Sequence, residues 1–189
     1  LHAHFSRFLE AVPGRLHFAA HSHHPWPDVT EAAQARAWAD AALHIDDKWN
    51  RIFTEVVPQA QQFIGEELGL PSENLAIAPN THELVLRLLS CLPERAHVVT
   101  SDAEFHSFER QTRRLEEEGL LRVTRVAAEP LATFAERFLA QVRQQKPQLA
   151  FVSHVFFNSG YAVEPLESWL TDMPAETWVA LDGYHGFCA

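Results

Sequence analysis

From Asn74 to the end of the chain, short apolar runs alternate with segments whose apolar residues recur at helical spacing, and few folds accept that alternation. The runs that read as strands are residues 97–100, 121–126, 149–155 and 178–181. Between them, residues 83–92 place Leu84, Val85, Leu88 and Leu89 on one helical face, and residues 105–118 do the same with Phe105, Phe108 and Leu115. Residues 131–145 carry Leu131, Phe134, Phe138, Leu139 and Val142 at that spacing, and Leu166, Trp169 and Leu170 suggest a shorter helix. Strands that alternate with helices predict an α/β domain, a mostly parallel sheet with helices on both faces. The last run, 178–181, reads as a buried strand.

The first third of the chain follows another pattern. Residues 1–14 suggest a short amphipathic turn with Phe5, Phe8 and Leu9 on one side, ended by Pro13 and Gly14. Asp28 or Thr30 is placed to cap an alanine-rich helix running to about Ile45, and Asp46 and Asp47 to cap another. Pro58 can open a further helix that Gly69 and Pro71 end. No strand ladder is legible there, so a helical segment is expected to precede the sheet.

Composition narrows the function classes. A chain of 189 residues, 47% apolar and 21% charged, is globular and large enough for a sizeable core. The formal charge of −10 argues against a nucleic-acid partner, which needs a basic face. No apolar run approaches the roughly 18–20 residues that span a bilayer, so no membrane partner is expected. Cys91 and Cys188 form neither a metal spacing nor a disulfide framework, and a reduced, cytoplasmic setting is the default.

In parallel sheets, ligands collect where strands end and loops begin. The first such junction is Pro79-Asn80-Thr81-His82-Glu83. A helix amino end offers free N–H groups that suit a phosphate, although Asn80 and Glu83 equally form a capping-box pair that needs no ligand. The second is Ser101-Asp102-Ala103-Glu104-Phe105-His106-Ser107-Phe108, where an aromatic ring either stacks on a flat ligand or belongs to the core. The third runs from Ser153 to Gly160. The fourth is Asp182-Gly183-Tyr184-His185, a carboxylate at a strand tip that must be hydrated, paired, capping a helix or holding a ligand. His21, His23 and His24 sit among Pro25 and Pro27 without an acidic or cysteine ligand at a suitable spacing, so no metal is expected. There is no glycine-rich phosphate loop and no Gly-x-Ser-x-Gly elbow.

Together these junctions resemble pyridoxal-phosphate enzymes of the aspartate-aminotransferase fold (fold type I), in the class V branch and with kynureninases as the nearest pattern. The motif that carries most is Leu181-Asp182-Gly183-Tyr184-His185-Gly186, similar to the family's strand-end Asp-x-x-His. The resemblance implies that Asp182 pairs with the protonated pyridine nitrogen of pyridoxal 5'-phosphate and that His185 lies beside it. It further implies that Phe105 stacks on the ring, that Ser107 helps hold the phosphate, and that Thr81 and His82 lie where a helix amino end binds that phosphate. Ser153 would be a cofactor-contacting serine, and His21, Ser22 and His23 would approach the substrate. In these terms residues 1–72 are a helical segment with a substrate-side loop, and residues 73–189 are the first part of the cofactor-binding domain.

The sequence departs from the pattern in three places. The family's acidic residue after the stacking segment is Phe108 here, and the Asn-Ser-Leu-Gly loop has become His21-Ser22-His23-His24. No Schiff-base lysine is assignable: the only lysines are Lys48 and Lys146, and the expected one lies beyond Ala189, as in an amino-terminal fragment. The resemblance implies a homodimeric enzyme acting on a small amino acid by kynureninase-like hydrolytic carbon–carbon cleavage. Class V transamination and cysteine-desulfurase-type elimination are the alternatives within the class, and a non-catalytic ligand-binding domain is the alternative outside it.

Overall fold

The computed structural model describes residues 2–19 and 23–187. The chain divides into two compact units, Leu1–Ile77 and Ala78–Ala189.

The first unit is helical among its described residues. Its helices are α1 (Ser6–Ala11), α2 (Val29–His44), α3 (Lys48–Arg51) and α4 (Val57–Leu68), with a π-helical stretch, Ile52–Val56, joining the last two. Pro58 lies in the first turn of α4, and Gly69 ends that helix at φ +64°, a left-handed conformation that glycine adopts without strain. Asp28 does not cap α2 as the sequence suggests. Its Oδ2 accepts from the Ser6 amide at 2.9 Å and the Ser6 hydroxyl at 2.6 Å, and Oδ1 accepts from the Arg7 amide at 3.0 Å. The carboxylate therefore satisfies the free N–H groups of α1, across 22 residues of chain, and these bonds hold its pKa below the ordinary aspartate value. Asp47 stands at the cap position of α3 but makes no capping bond. Apolar side chains in this unit are largely exposed: Trp38 retains 79% of its surface.

The second unit is α/β. Helix α5 (Thr81–Ser90) leads into β1 (Ala96–Ser101), then α6 (His106–Glu117), β2 (Leu121–Val126), α7 (Phe134–Gln145), β3 (Leu149–Ser153), α8 (Leu166–Thr171) and β4 (Trp178–Asp182). All four strands are parallel, in the order β2-β1-β3-β4. The central strands β1 and β3 are buried along their whole length, and their apolar residues, Val98 and Val99 in β1 and Leu149 to Val152 in β3, supply the middle of the core. Val98, Leu149 and Phe151 face α5 and α6 and pack against Val85, Leu89 and Phe108. Val99, Ala150 and Val152 face the other way, against Phe134, Phe138 and Val142 of α7 and Trp169 of α8. Each such fully buried side chain stabilises the fold by roughly 1.5–3 kcal/mol relative to an exposed one.

Two expectations need correction. Strand β3 stops at Ser153, because Val155 leaves the sheet to pair with Ala162 in an antiparallel bridge. The last strand is not buried: β4 is an edge strand, paired only with β3 among the described residues, and Trp178 keeps 52% of its surface.

Candidate functional site

The strand order fixes where loops diverge. From β1 the chain turns to α6 on one face of the sheet, and from β3 it turns to α8 on the other. Neighbouring strands whose loops leave toward opposite faces open a crevice at their carboxyl ends, the usual ligand position in such sheets. Helix α5 runs back along the face and connects at its far end to the start of β1, so its amino end also lies toward the carboxyl edge.

Glu104 fills the floor of this crevice. Its Oε1 accepts the Ser101 hydroxyl at 2.5 Å, and its Oε2 accepts the Ser153 hydroxyl at 2.6 Å and the Ser153 amide at 3.0 Å. The carboxyl group thus ties the end of β1 to the end of β3. Burial pushes its pKa up to about 7; the serine bonds oppose that shift, and the negative charge of Asp182 adds to it. Ser101 also accepts the Ala103 amide at 3.1 Å, which fixes the turn that carries Glu104.

Above this floor, rings from three loops meet. Phe105 lies edge-on to Phe157 with centroids 5.3 Å apart, Phe157 lies 5.8 Å from His185, and His185 packs against Tyr184 at 4.8 Å. The loops after β1, β3 and β4 are joined in this way. Asp182, half-buried at the tip of β4, accepts the Tyr184 amide through Oδ1 at 3.0 Å in an Asx-type turn. Oδ2 has no hydrogen-bond donor, and the carboxylate no cationic partner, among the described residues. The turn is held from below by His154, whose amide donates to the Asp182 carbonyl and whose ring packs on Gly186. A Cβ at Gly186 would overlap that ring, so only glycine fits there. His154 Nε2 in turn meets Glu164 at 3.0 Å.

The remaining candidates are placed as follows. Asn80 caps α5 by accepting the Glu83 amide at 3.0 Å, but the reciprocal half of the capping box is not formed, because Glu83 reaches Arg87 instead. Thr81 is exposed and His82 half-buried in the first turn of α5. Ser107 is half-buried in the first turn of α6. Ser153 is buried with its hydroxyl on Glu104. Phe108 is core, stacked on Phe151 with centroids 3.7 Å apart. In the first unit, His23 is exposed and its carbonyl meets His17 Nε2 at 2.7 Å, while His21 and Ser22 lie outside the described residues. Lys146, between α7 and β3, lies at the amino edge of the sheet and pairs with Glu176 at 3.3 Å. No cluster of metal-ligating side chains occurs among the described residues, and no helix is long and apolar enough to cross a membrane.

Sequence reasoning missed Glu104. The one available signal was local: a serine ending a strand, with an acid three residues on and no helix turn between them for that acid to cap.

No family model and no curated protein sequence matches this chain. Solved structures do. A lysine-to-alanine mutant of C-DES, with glycine covalently linked to its PLP cofactor, aligns with a TM-score of 0.81 at 14% identity, covering 99% of this chain and 50% of that one. The cystine C-S lyase C-DES in complex with its reaction product cysteine persulfide aligns at 0.78 and 14% identity, covering 95% and 50%. Histidinol-phosphate aminotransferase from Sinorhizobium meliloti, in complex with pyridoxal-5'-phosphate, aligns at 0.56 and 20% identity, covering 75% and 39%. The chain spans about half the length of the C-DES structures it matches. It has, over that span, the α/β fold with a parallel sheet found in these enzymes.

Proposed function

We propose that this chain builds the cofactor-binding part of a pyridoxal-phosphate-dependent enzyme that acts on an amino acid. The observation that carries the reading is Asp182: a strand-tip carboxylate without a cationic partner among the described residues, beside a set of rings at the carboxyl edge, in a chain that shares the fold of pyridoxal-phosphate enzymes. These residues fit the cofactor. A protonated pyridine nitrogen supplies the positive charge and the donor that Asp182 Oδ2 lacks. Phe105 offers a half-buried ring face, and the amino end of α5 with Thr81 and Ser107 offers donors for a phosphate. When bound, the cofactor supplies an electron sink for a carbanion on the substrate.

In this reading Asp182 keeps the ring nitrogen protonated, and Phe105 and His185 fix the ring plane. Thr81, His82 and Ser107 border the phosphate, Ser153 supports the floor, and His21, Ser22 and His23 belong to the substrate side. The lysine that anchors the cofactor comes from a segment following Ala189, and the working protein is a cytoplasmic homodimer. Kynureninase-like hydrolytic carbon–carbon cleavage is the first reaction to test, from the Asp182 to Gly186 motif. The likeness in fold to a cystine C-S lyase favours elimination at a sulfur-bearing carbon as the second reading, with transamination behind it.

The test is an absorbance titration of the full-length protein with pyridoxal phosphate, followed by a panel of amino acids that includes kynurenine and cystine. The reading expects a saturable, protein-bound cofactor band that one class of amino acid perturbs. A protein that binds no cofactor at any concentration tried rules the reading out.

A further inference from the structure

We propose that Glu104 is a positioning residue that sets the direction of the Ser153 hydroxyl hydrogen, claiming it when the carboxyl group is ionised and releasing it toward the cofactor site when the group carries a proton. This rests on the cofactor reading above.

The argument is one of donors and acceptors. As an ionised group, Glu104 only accepts, and it takes hydrogens from both serine hydroxyls and from the Ser153 amide. If Glu104 takes a proton from solvent, its own O–H must find an acceptor among the same atoms. Ser101 Oγ is a poor choice: it already accepts the Ala103 amide and is fully buried, so its displaced hydrogen would have nowhere to go. Among the described residues Ser153 Oγ accepts no hydrogen bond, and Ser153 keeps 6% of its surface at the end of β3. The protonated acid therefore donates to Ser153 Oγ, and the serine hydrogen turns away from Glu104 toward the crevice. A phosphate or ring oxygen there gains a donor. The groups around Glu104 from β1 and β3 are the neutral Ser101 and Ser153, and the charge acting on it is that of Asp182 on β4. Burial brings the titration to about 7, so both states are populated at neutral pH.

The experiment measures the affinity of the full-length protein for pyridoxal phosphate alone, at about pH 6 and about pH 8, on either side of that titration. Wild type is compared with Glu104→Gln and Ser153→Ala. The cofactor's own ionisation is common to all three and cancels in the ratio. One lost hydrogen bond corresponds to up to about tenfold in affinity. Wild type should bind about tenfold more weakly at the higher pH. Glu104→Gln, whose amide donates to Ser153 Oγ as the acid would, should stay tight at both. Ser153→Ala should be weak at both. If Glu104→Gln does not fold, the flat, weak profile of Ser153→Ala carries the test. A wild-type profile no steeper than that of the variants, with cofactor bound, overturns the role of Glu104 and leaves the cofactor reading standing. Absence of binding by wild type at either pH overturns the cofactor reading itself.

Discussion

At the amino end of the sheet, His97 is buried against Thr124 of β2 and, through it, Gln145 of α7; at the carboxyl end, Glu104 is buried against Ser101 and Ser153. Both are titratable groups in small networks of neutral partners, and burial drives both toward their neutral forms: His97 downward from its ordinary pKa, Glu104 up to about 7. The Thr124 hydroxyl gives its hydrogen to Gln145, so His97 Nε2 is the donor in its bond, while its Nδ1 is buried without a partner among the described residues. At the other end the network borders the crevice. Ser153 retains an edge to the crevice, Asp182 adds a charge with no cationic partner among the described residues, and rings from three loops gather over the floor. A buried ionisable group is thus no sign of a site by itself. The convergence of loops where strand order reverses separates the two ends.

Substitutions at the two ends should separate them experimentally. Asp182→Ala is expected to give the largest effect: about a hundredfold weaker pyridoxal-phosphate binding, equivalent to about 3 kcal/mol, with an almost unchanged melt. Binding within a few-fold of wild type would erase the distinction between the ends. Next comes the pH dependence of stability. Glu104 has a raised folded pKa, so its contribution is complete below the ordinary value of 4.5 and is lost as pH rises through about 7. Urea melts should show a loss of up to about 3 kcal/mol over that window, absent in Glu104→Gln. His97 acts with the opposite sign: its lowered folded pKa makes stability fall as pH drops below its ordinary 6.5. His97→Ala should cost about 1–2 kcal/mol in the same melts while leaving cofactor affinity untouched. The smallest effect is expected of Lys146→Ala, which breaks an exposed pair with Glu176: under about 0.5 kcal/mol, and no change in the cofactor spectrum. A lost cofactor band in that variant would make Lys146 the anchoring lysine and reverse the assignment of the two ends.

The architecture was legible because periodicity is local. Residues 121–126 read as a short strand, and β2 spans those residues. Phe134, Phe138 and Val142 declare one face of α7, and all three are fully buried. The tips of the strands follow from their extents, so the junctions holding Phe105, Ser153 and Asp182 are legible in the sequence, whereas no strand precedes Thr81 among the described residues. What failed depends on contacts distant in sequence. Asp28 reads as the cap of the helix it precedes, but its carboxylate serves α1, 22 residues back. Glu104 does not stand out within the second junction, because Ser153, which explains its burial, is 49 residues away. The apolar run of β4 reads as buried, but burial is set by neighbours in the sheet, and β4 has one among the described residues.

The central claim is that Asp182 grips a protonated ring nitrogen at the carboxyl end of the sheet. Nitrogen NMR of ring-labelled pyridoxal phosphate bound to the full-length protein tests it directly. The account predicts a protonated ring nitrogen in wild type near neutral pH and a deprotonated one in Asp182→Asn. A ring nitrogen in the same protonation state in both proteins would contradict it.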